Sequence, residues 1–269
     1  MKIDYFIYST NENVNYIYCW PLVAQVTTKL FGCKVALAFI TEREKTDPLV
    51  KFFQQFGEVY LFKAIEGIPS GNQAKVTRLY LASILSDVIC CLNDVDILPL
   101  QSLFLTEKLN LIPSEKFVTI GANAYKKTVD TGKFPMIYTT ARGEIFKNLI
   151  NPQNLSYISL LQSWCGLKKF DNKESLNNIP SCFSDESLLK LLISNWSDKL
   201  KVVYLDRNFI GYKAVERIDR VDWNIDMNKL KAGWYIDAHL PRPLKSNLIK
   251  PLTEYFGVKD YIDTIITLH

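Results

Sequence analysis

The sequence predicts an α/β protein built on a mostly parallel central sheet flanked by helices. Three observations carry that reading. Apolar strand segments alternate with helical segments from the first residues onward, the order that parallel strands with right-handed crossovers require. A fourth apolar segment, Val88 to Leu92, is partly β-branched and too short for a helix, as a strand buried on both faces would be. The chain has 269 residues, 48% hydrophobic and 22% charged, which is ordinary globular usage and enough for one large core.

Lys2 to Tyr8 is rich in Ile, Tyr and Phe and reads as a first strand, with Ser9 to Asn13 as a polar loop at its end. Tyr16 to Phe31 carries Ile17, Trp20, Val23, Ala24 and Leu30 at helical spacing, and Gly32 closes it. Val35 to Ile40 is a second strand. Asp47 caps a helix with Pro48 at its first position, running to Phe56 before Gly57. Val59 to Phe62 is a third strand, Glu66 to Asn72 a loop, and Gln73 to Leu85 a third helix. Lys75 and Arg78 lie three apart on that helix and so share a face.

That helix delivers the chain to Val88–Leu92, which ends in Asn93-Asp94-Val95-Asp96-Ile97-Leu98-Pro99. Asp94 and Asp96 are two apart, so on an extended chain both carboxylates face one side. With no Lys or Arg beside them in sequence they repel each other unless a hard cation lies between them, and Mg²⁺ or Mn²⁺ takes oxygen ligands of this kind. An isolated pair of this spacing is common by chance and most often solvated; the buried strand and the basic helix before it raise its weight. A helix and its following strand run in opposite directions. Lys75 is ~15 Å back along the helix from Leu85, and the strand returns ~20 Å. Two cations and two carboxylates therefore meet at the carboxyl ends of the strands, where open α/β sheets bind ligands.

The second half is less regular. Phe117–Ile120 is a short strand followed by Gly121–Ala124, Tyr125 to Pro135 a loop, Ser156 to Trp164 helical, and Lys168 to Pro180 a polar excursion. Ser184 caps a helix opened by Asp185-Glu186 and running to about Asn195, and Lys201 to Leu205 is a late strand. Trp234 to Pro243 is too rich in proline to be helical.

Thirty-two basic and 28 acidic residues leave a net charge of +4, too even for a non-specific nucleic-acid binder and better suited to a small phosphate-bearing ligand. Neither a signal peptide nor a spanning segment is visible, and the six cysteines show no C-x-x-C pattern, which together predict a cytoplasmic protein with reduced thiols.

The helix with Lys75, Arg78 and Ala82, the strand after it and Asp94-x-Asp96-Ile-Leu-Pro resemble the GT-A glycosyltransferases, nucleotide-sugar enzymes with a D-x-D metal motif. The likeness covers the order of elements to about residue 122 and continues with the Asp185-Glu186 helix start and a late His239. It implies one domain over 1–269, with a donor half to residue 122 and an acceptor-side half after it. It further implies that Asp94, Asp96 and His239 hold Mn²⁺ or Mg²⁺. Ser9, Thr10 and Asn11 would meet the nucleobase and ribose, and Lys75, Arg78, Asn93, Asp94 and Arg242 the rest of the donor. Asp185 or Glu186 would stand near the anomeric carbon, as general base if the enzyme inverts or as a holder of donor hydroxyls if it retains. The implied donor is a UDP-sugar and the acceptor a glycan or another hydroxyl compound. Each of these residues has a plainer reading: Lys75 and Arg78 as a solvated face, His239 as a surface histidine, Asp185 and Glu186 as acids favouring a helix dipole.

Other chemistries fit less well. No G-x-G-x-x-G, G-K-[ST], H-E-x-x-H or G-x-S-x-G is present. A phosphohydrolase places its D-x-D after the first strand. A sugar nucleotidyltransferase wants glycines directly after it, and Ser9 to Asn15 has none. A non-catalytic nucleotide- or glycan-binding module of the same fold stays open.

Overall fold

The computed structural model describes residues 1–120, 134–165, 185–205 and 216–269. The Gly121–Ala124 segment, most of the expected loop after it, the Lys168–Pro180 excursion and the Ser184 cap lie outside the described residues.

The donor half follows the expected alternation: β1 (Tyr5–Asn11), α1 (Val14–Ile17), α2 (Trp20–Phe31), β2 (Lys34–Ile40), α3 (Pro48–Phe53), β3 (Glu58–Phe62), α4 (Ser70–Ile84) and β4 (Ile89–Leu92). Three boundaries move for physical reasons. The first strand runs on through Ser9-Thr10-Asn11, because these residues pair in register with Ala38-Phe39-Ile40 of β2; the expected loop is the end of a strand. The single helix expected over Tyr16–Phe31 breaks into α1 and α2 around Cys19, where Pro21 has no N–H to continue the ladder. α4 begins three residues early, at Ser70, where Pro69 and Gly71 read as loop signals. Asp47 caps α3 as expected, its side chain accepting from the Leu49 N–H at 2.8 Å.

The chain continues with β5 (Ile97–Pro99), α5 (Leu103–Asn110), β6 (Phe117–Ile120), β7 (Thr139–Arg142), α6 (Gly143–Ile150), α7 (Tyr157–Cys165), α8 (Asp185–Asn195) and β8 (Val202–Leu205). It ends with β9 (Glu216–Ile218), α9 (Met227–Lys231), β10 (Tyr235–His239), α10 (Ser246–Phe256) and α11 (Ile262–Leu268).

Seven strands form one sheet in the order β3-β2-β1-β4-β7-β6-β8. β3, β2, β1 and β4 are mutually parallel, β7 is antiparallel to both its neighbours, and β8 is parallel to β6. The order reverses between β1 and β4, and that switch point opens a crevice beyond their carboxyl ends. Strand alternation divides the core in two. Phe6, Tyr8, Leu37 and Phe39 point to the layer containing Trp20 and Phe53, whereas Ile7, Ala36, Ala38, Cys90 and Leu92 point to the layer of α4, α6 and α8. Close approach of α6 to α4 requires glycine: a Cβ on Gly143 would lie 1.9 Å from the Leu85 carbonyl oxygen.

A second sheet, β5-β10-β9, sets the acceptor half against the first. β10 pairs antiparallel with β5, His239 opposite Ile97 and Asp237 opposite Pro99. The segment expected to be a late loop is thus a strand, and its register brings His239 beside Asp96. Among the described residues no helix is long and apolar enough to cross a membrane.

Candidate active site

A cavity of about 590 Å³ fills the crevice at the switch point, within the size of small-ligand sites. The end of β1 contributes Ser9, Thr10 and Asn11, and the start of α4 contributes Gly71, Asn72 and Lys75. The Asn11 Nδ2 donates to Ser70 Oγ at 3.0 Å and its Oδ1 accepts from the Asn13 N–H at 3.2 Å, so the strand end is pinned to the helix start. Lys75 is exposed at the rim, one turn along from Gly71.

Asp94 and Asp96 lie on a tight turn, not on the extended strand end expected from sequence: the Ile97 N–H closes back onto the Asp94 carbonyl at 3.0 Å. Their side chains go to different partners. Asp94 is 41% exposed on its side chain and meets Arg78. Arg78 is buried, and its guanidinium donates to the Asn93 carbonyl at 2.9 Å, to Asp94 Oδ1 and to Asp185 Oδ2. Burial alone would push the Arg78 proton off; Asp94 and Asp185 reverse that and raise its pKa above the usual arginine value. The buried Asp185 also accepts from the Glu186 N–H at 3.1 Å.

Asp96 is the hub of a second cluster. Its Oδ2 receives His239 Nε2 at 3.1 Å, Arg220 Nη1 at 3.2 Å, Arg242 Nε at 3.1 Å and Arg242 Nη2. Burial raises the Asp96 pKa, but the His239 hydrogen bond and the Arg242 charge outweigh it and hold the carboxyl at about 2. Asp96 is therefore an anion at any working pH. Arg242 also lies over Tyr16, 4.3 Å from the ring centroid. Behind this cluster Arg217 forks onto the fully buried Asp237, which also accepts from Tyr138 Oη at 3.2 Å and so ties β10 to the residue before β7.

The cavity brings together Ser9, Thr10, Asn11, Lys75, Arg78, Asp94, Asp96, Asp185, Glu186, His239 and Arg242, residues drawn from both halves of the sequence. Asn93 is different. It is fully buried and does not line the cavity; its N–H donates to the Ile7 carbonyl at 3.0 Å and its Nδ2 to the Ile97 carbonyl at 3.1 Å, so it shapes the turn beneath. The expectation that the two aspartates have no basic neighbour is also corrected: three arginines reach them from residues 78, 220 and 242. Sequence reasoning missed Arg220, Tyr16 and Asn72. Arg220 follows a three-residue strand, too short to announce which way its neighbours face.

No sequence-family profile and no curated protein sequence matches the chain. Solved structures do. The apo form of the glycosyltransferase GlyE from Streptococcus pneumoniae TIGR4 superposes with a TM-score of 0.52 at 11% identity, over 99% of this chain and 63% of that one. An active-site variant of LgtC superposes at 0.50 and 10% identity, over 94% of this chain and 95% of that one. The fold is that of the GT-A glycosyltransferases. The chain spans less than two thirds of the length of GlyE.

A GT-A site that uses a divalent cation needs oxygen ligands placed to leave room for phosphate. Asp94, Asp96 and His239 offer two carboxylates and an imidazole to one cavity, a donor set that suits Mn²⁺ somewhat better than Mg²⁺. His239 Nε2 and Asp96 Oδ2 are 3.1 Å apart. Adjacent ligands of an octahedral ion at ~2.1 Å lie ~3 Å apart, so this pair fits. Asp94 is turned to Arg78, and among the described residues no three ligating side chains converge.

Proposed function

We propose that the chain is a metal-dependent glycosyltransferase that moves a sugar from a nucleotide sugar, with a UDP-sugar the favoured donor, to a hydroxyl acceptor. One observation carries the reading: Asp94, Asp96 and His239 share with Lys75 and Arg242 a single cavity at the switch point of a GT-A sheet. Few chemistries other than diphosphate handling ask for carboxylates, imidazole and guanidinium in one crevice.

Mn²⁺ or Mg²⁺, held by Asp94, Asp96 and His239, would supply charge neutralisation to the departing nucleoside diphosphate. The chain's own residues do the rest. Ser9, Thr10 and Asn11 at the end of β1 bind the nucleoside side of the donor. Lys75 at the rim and Arg242 opposite it meet the phosphates, Arg242 with a planar fork that suits two phosphate oxygens. Arg78 does not reach the phosphates; it orients Asp94 and Asp185. Asp185, anchored by Arg78 and by the Glu186 N–H, is built to hold a fixed position near the donor sugar. Glu186, half-buried on the cavity wall, is the better placed of the two acids to take an acceptor proton if the reaction inverts.

Titration calorimetry with UDP in Mn²⁺ and in EDTA tests the reading. It requires UDP to bind in Mn²⁺ and to lose about tenfold or more in affinity in EDTA or on Asp94→Asn. Equal affinity in all three conditions would sink the metal assignment.

A further inference from the structure

Asp96 Oδ2 is crowded. A carboxylate oxygen has two lone pairs, yet this one is approached by four N–H groups or ring nitrogens from Arg220, His239 and Arg242. Arg242 supplies two of the four and at the same time covers the face of Tyr16. The guanidinium thus occupies the side of Asp96 that a cation shared with His239 would have to approach, and it masks the flat ring nearest the nucleoside end of the cavity.

Charge balance sharpens the point. Among the described residues lining the cavity, Lys75, Arg78, Arg220 and Arg242 are cationic. Asp94, Asp96, Asp185 and Glu186 match them one for one. A divalent cation entering alone leaves the cleft with surplus positive charge beside three arginines. A nucleoside diphosphate entering alone leaves surplus negative charge beside four carboxylates. Entering together they restore the balance, and in a partly desolvated cleft that difference is felt strongly.

We infer that Arg242 is a charge-exchange residue: it holds Asp96 and Tyr16 until cation and nucleoside diphosphate arrive together, and then passes from the carboxylate to the diphosphate. The inference rests on the donor reading above. Its driving forces are local. A cation on Asp96 repels the guanidinium from the same oxygen, the diphosphate offers it a bidentate acceptor in exchange, and its departure uncovers the Tyr16 ring. The two ligands consequently strengthen each other by the same factor, whichever is added first.

Calorimetry on the wild-type chain, Arg242→Lys and Arg242→Ala tests it, with Mn²⁺ alone, UDP alone and UDP in saturating Mn²⁺. In the wild type, UDP and Mn²⁺ each bind about tenfold more tightly in the other's presence. Removal of Arg242 moves the two constants in opposite directions. Mn²⁺ alone binds Arg242→Ala about fivefold or more tightly than wild type, and UDP in Mn²⁺ binds it about tenfold more weakly. Arg242→Lys keeps the charge without the fork and falls between on both scales. A purely structural role, or damage to the fold, lowers both affinities together; that pattern, or an Mn²⁺ affinity untouched in both variants, overturns the exchange while leaving the donor reading intact. Wild-type UDP binding that ignores Mn²⁺ overturns both.

Discussion

Arg78 on α4 and Asp185 in the first turn of α8 are 107 residues apart in sequence and form a buried ion pair at the floor of the cavity. The sequence alone points Arg78 at the donor, so that Arg78→Ala would cost donor binding more than stability. Burial reverses that order. Alanine leaves Asp185 buried without its counter-charge, a change of about 3–5 kcal/mol in comparable cases. Chemical denaturation of Arg78→Ala should show a loss of that size, with α8 the first segment to exchange its amides. A loss of stability below about 1 kcal/mol together with weakened UDP binding would return Arg78 to the donor.

The two aspartates of the turn should separate. Asp94 is 41% exposed on its side chain and Asp96 only 4%, the latter under a cluster of cations. Asp94→Asn should leave the melting temperature within a few degrees of wild type while removing Mn²⁺-dependent UDP binding. Asp96→Asn should lose that binding and also melt several degrees lower, because Arg220 and Arg242 are left facing each other without their shared anion. Equal melting of the two variants would contradict the hub described for Asp96.

Burial raises the Cys33 thiol from 9.0 to about 11 and the Cys90 thiol from 9.0 to about 12. The sign follows directly. Below pH 9 both thiols are neutral whether folded or not, and their contribution is fully present; between pH 9 and about 12 the unfolded chain ionises first, so stability falls as pH rises. Peptide-resolved alkylation should find Cys33 and Cys90 inert at pH 8 in the native protein and reactive in urea. Fast native labelling of Cys90 would contradict the buried placement of β4.

Gly143→Ala tests the packing of α6 on α4 independently of any ligand. The new Cβ would meet the Leu85 carbonyl oxygen at 1.9 Å and the Ala82 carbonyl oxygen at 2.7 Å, both backbone atoms with no side-chain freedom to yield. Overpacking of this kind costs about 1–3 kcal/mol or more. A melting temperature equal to wild type would show that the two helices slide apart easily.

The donor half was legible because its strands are continuous apolar runs and its helices carry caps, as Asp47-Pro48 shows. The D-x-D turn was legible by position, but its chemistry was not. Asp94 and Asp96 have no basic neighbour within several residues of sequence, and the three arginines that hold them come from residues 78, 220 and 242. Such partners are set by the register of β10 on β5 and by the return of β9, and strands of three residues carry too little periodicity to reveal either. His239 was found by type and misplaced by structure: Pro241 and Pro243 suggested a loop, whereas pairing with Ile97 makes its segment a strand. Ser9 to Asn11 failed in the same way, polar residues kept in a strand because they face the cavity and pair with β2.

The most direct measurement is slow donor hydrolysis by the purified chain against a panel of nucleotide sugars, in Mn²⁺ and in EDTA. Release of UDP from one UDP-sugar, lost in EDTA and in Asp94→Asn, is the predicted result and names the donor as well. No release from any donor, with UDP binding indifferent to Mn²⁺, would contradict the account and leave a sugar- or nucleotide-binding module of the same fold.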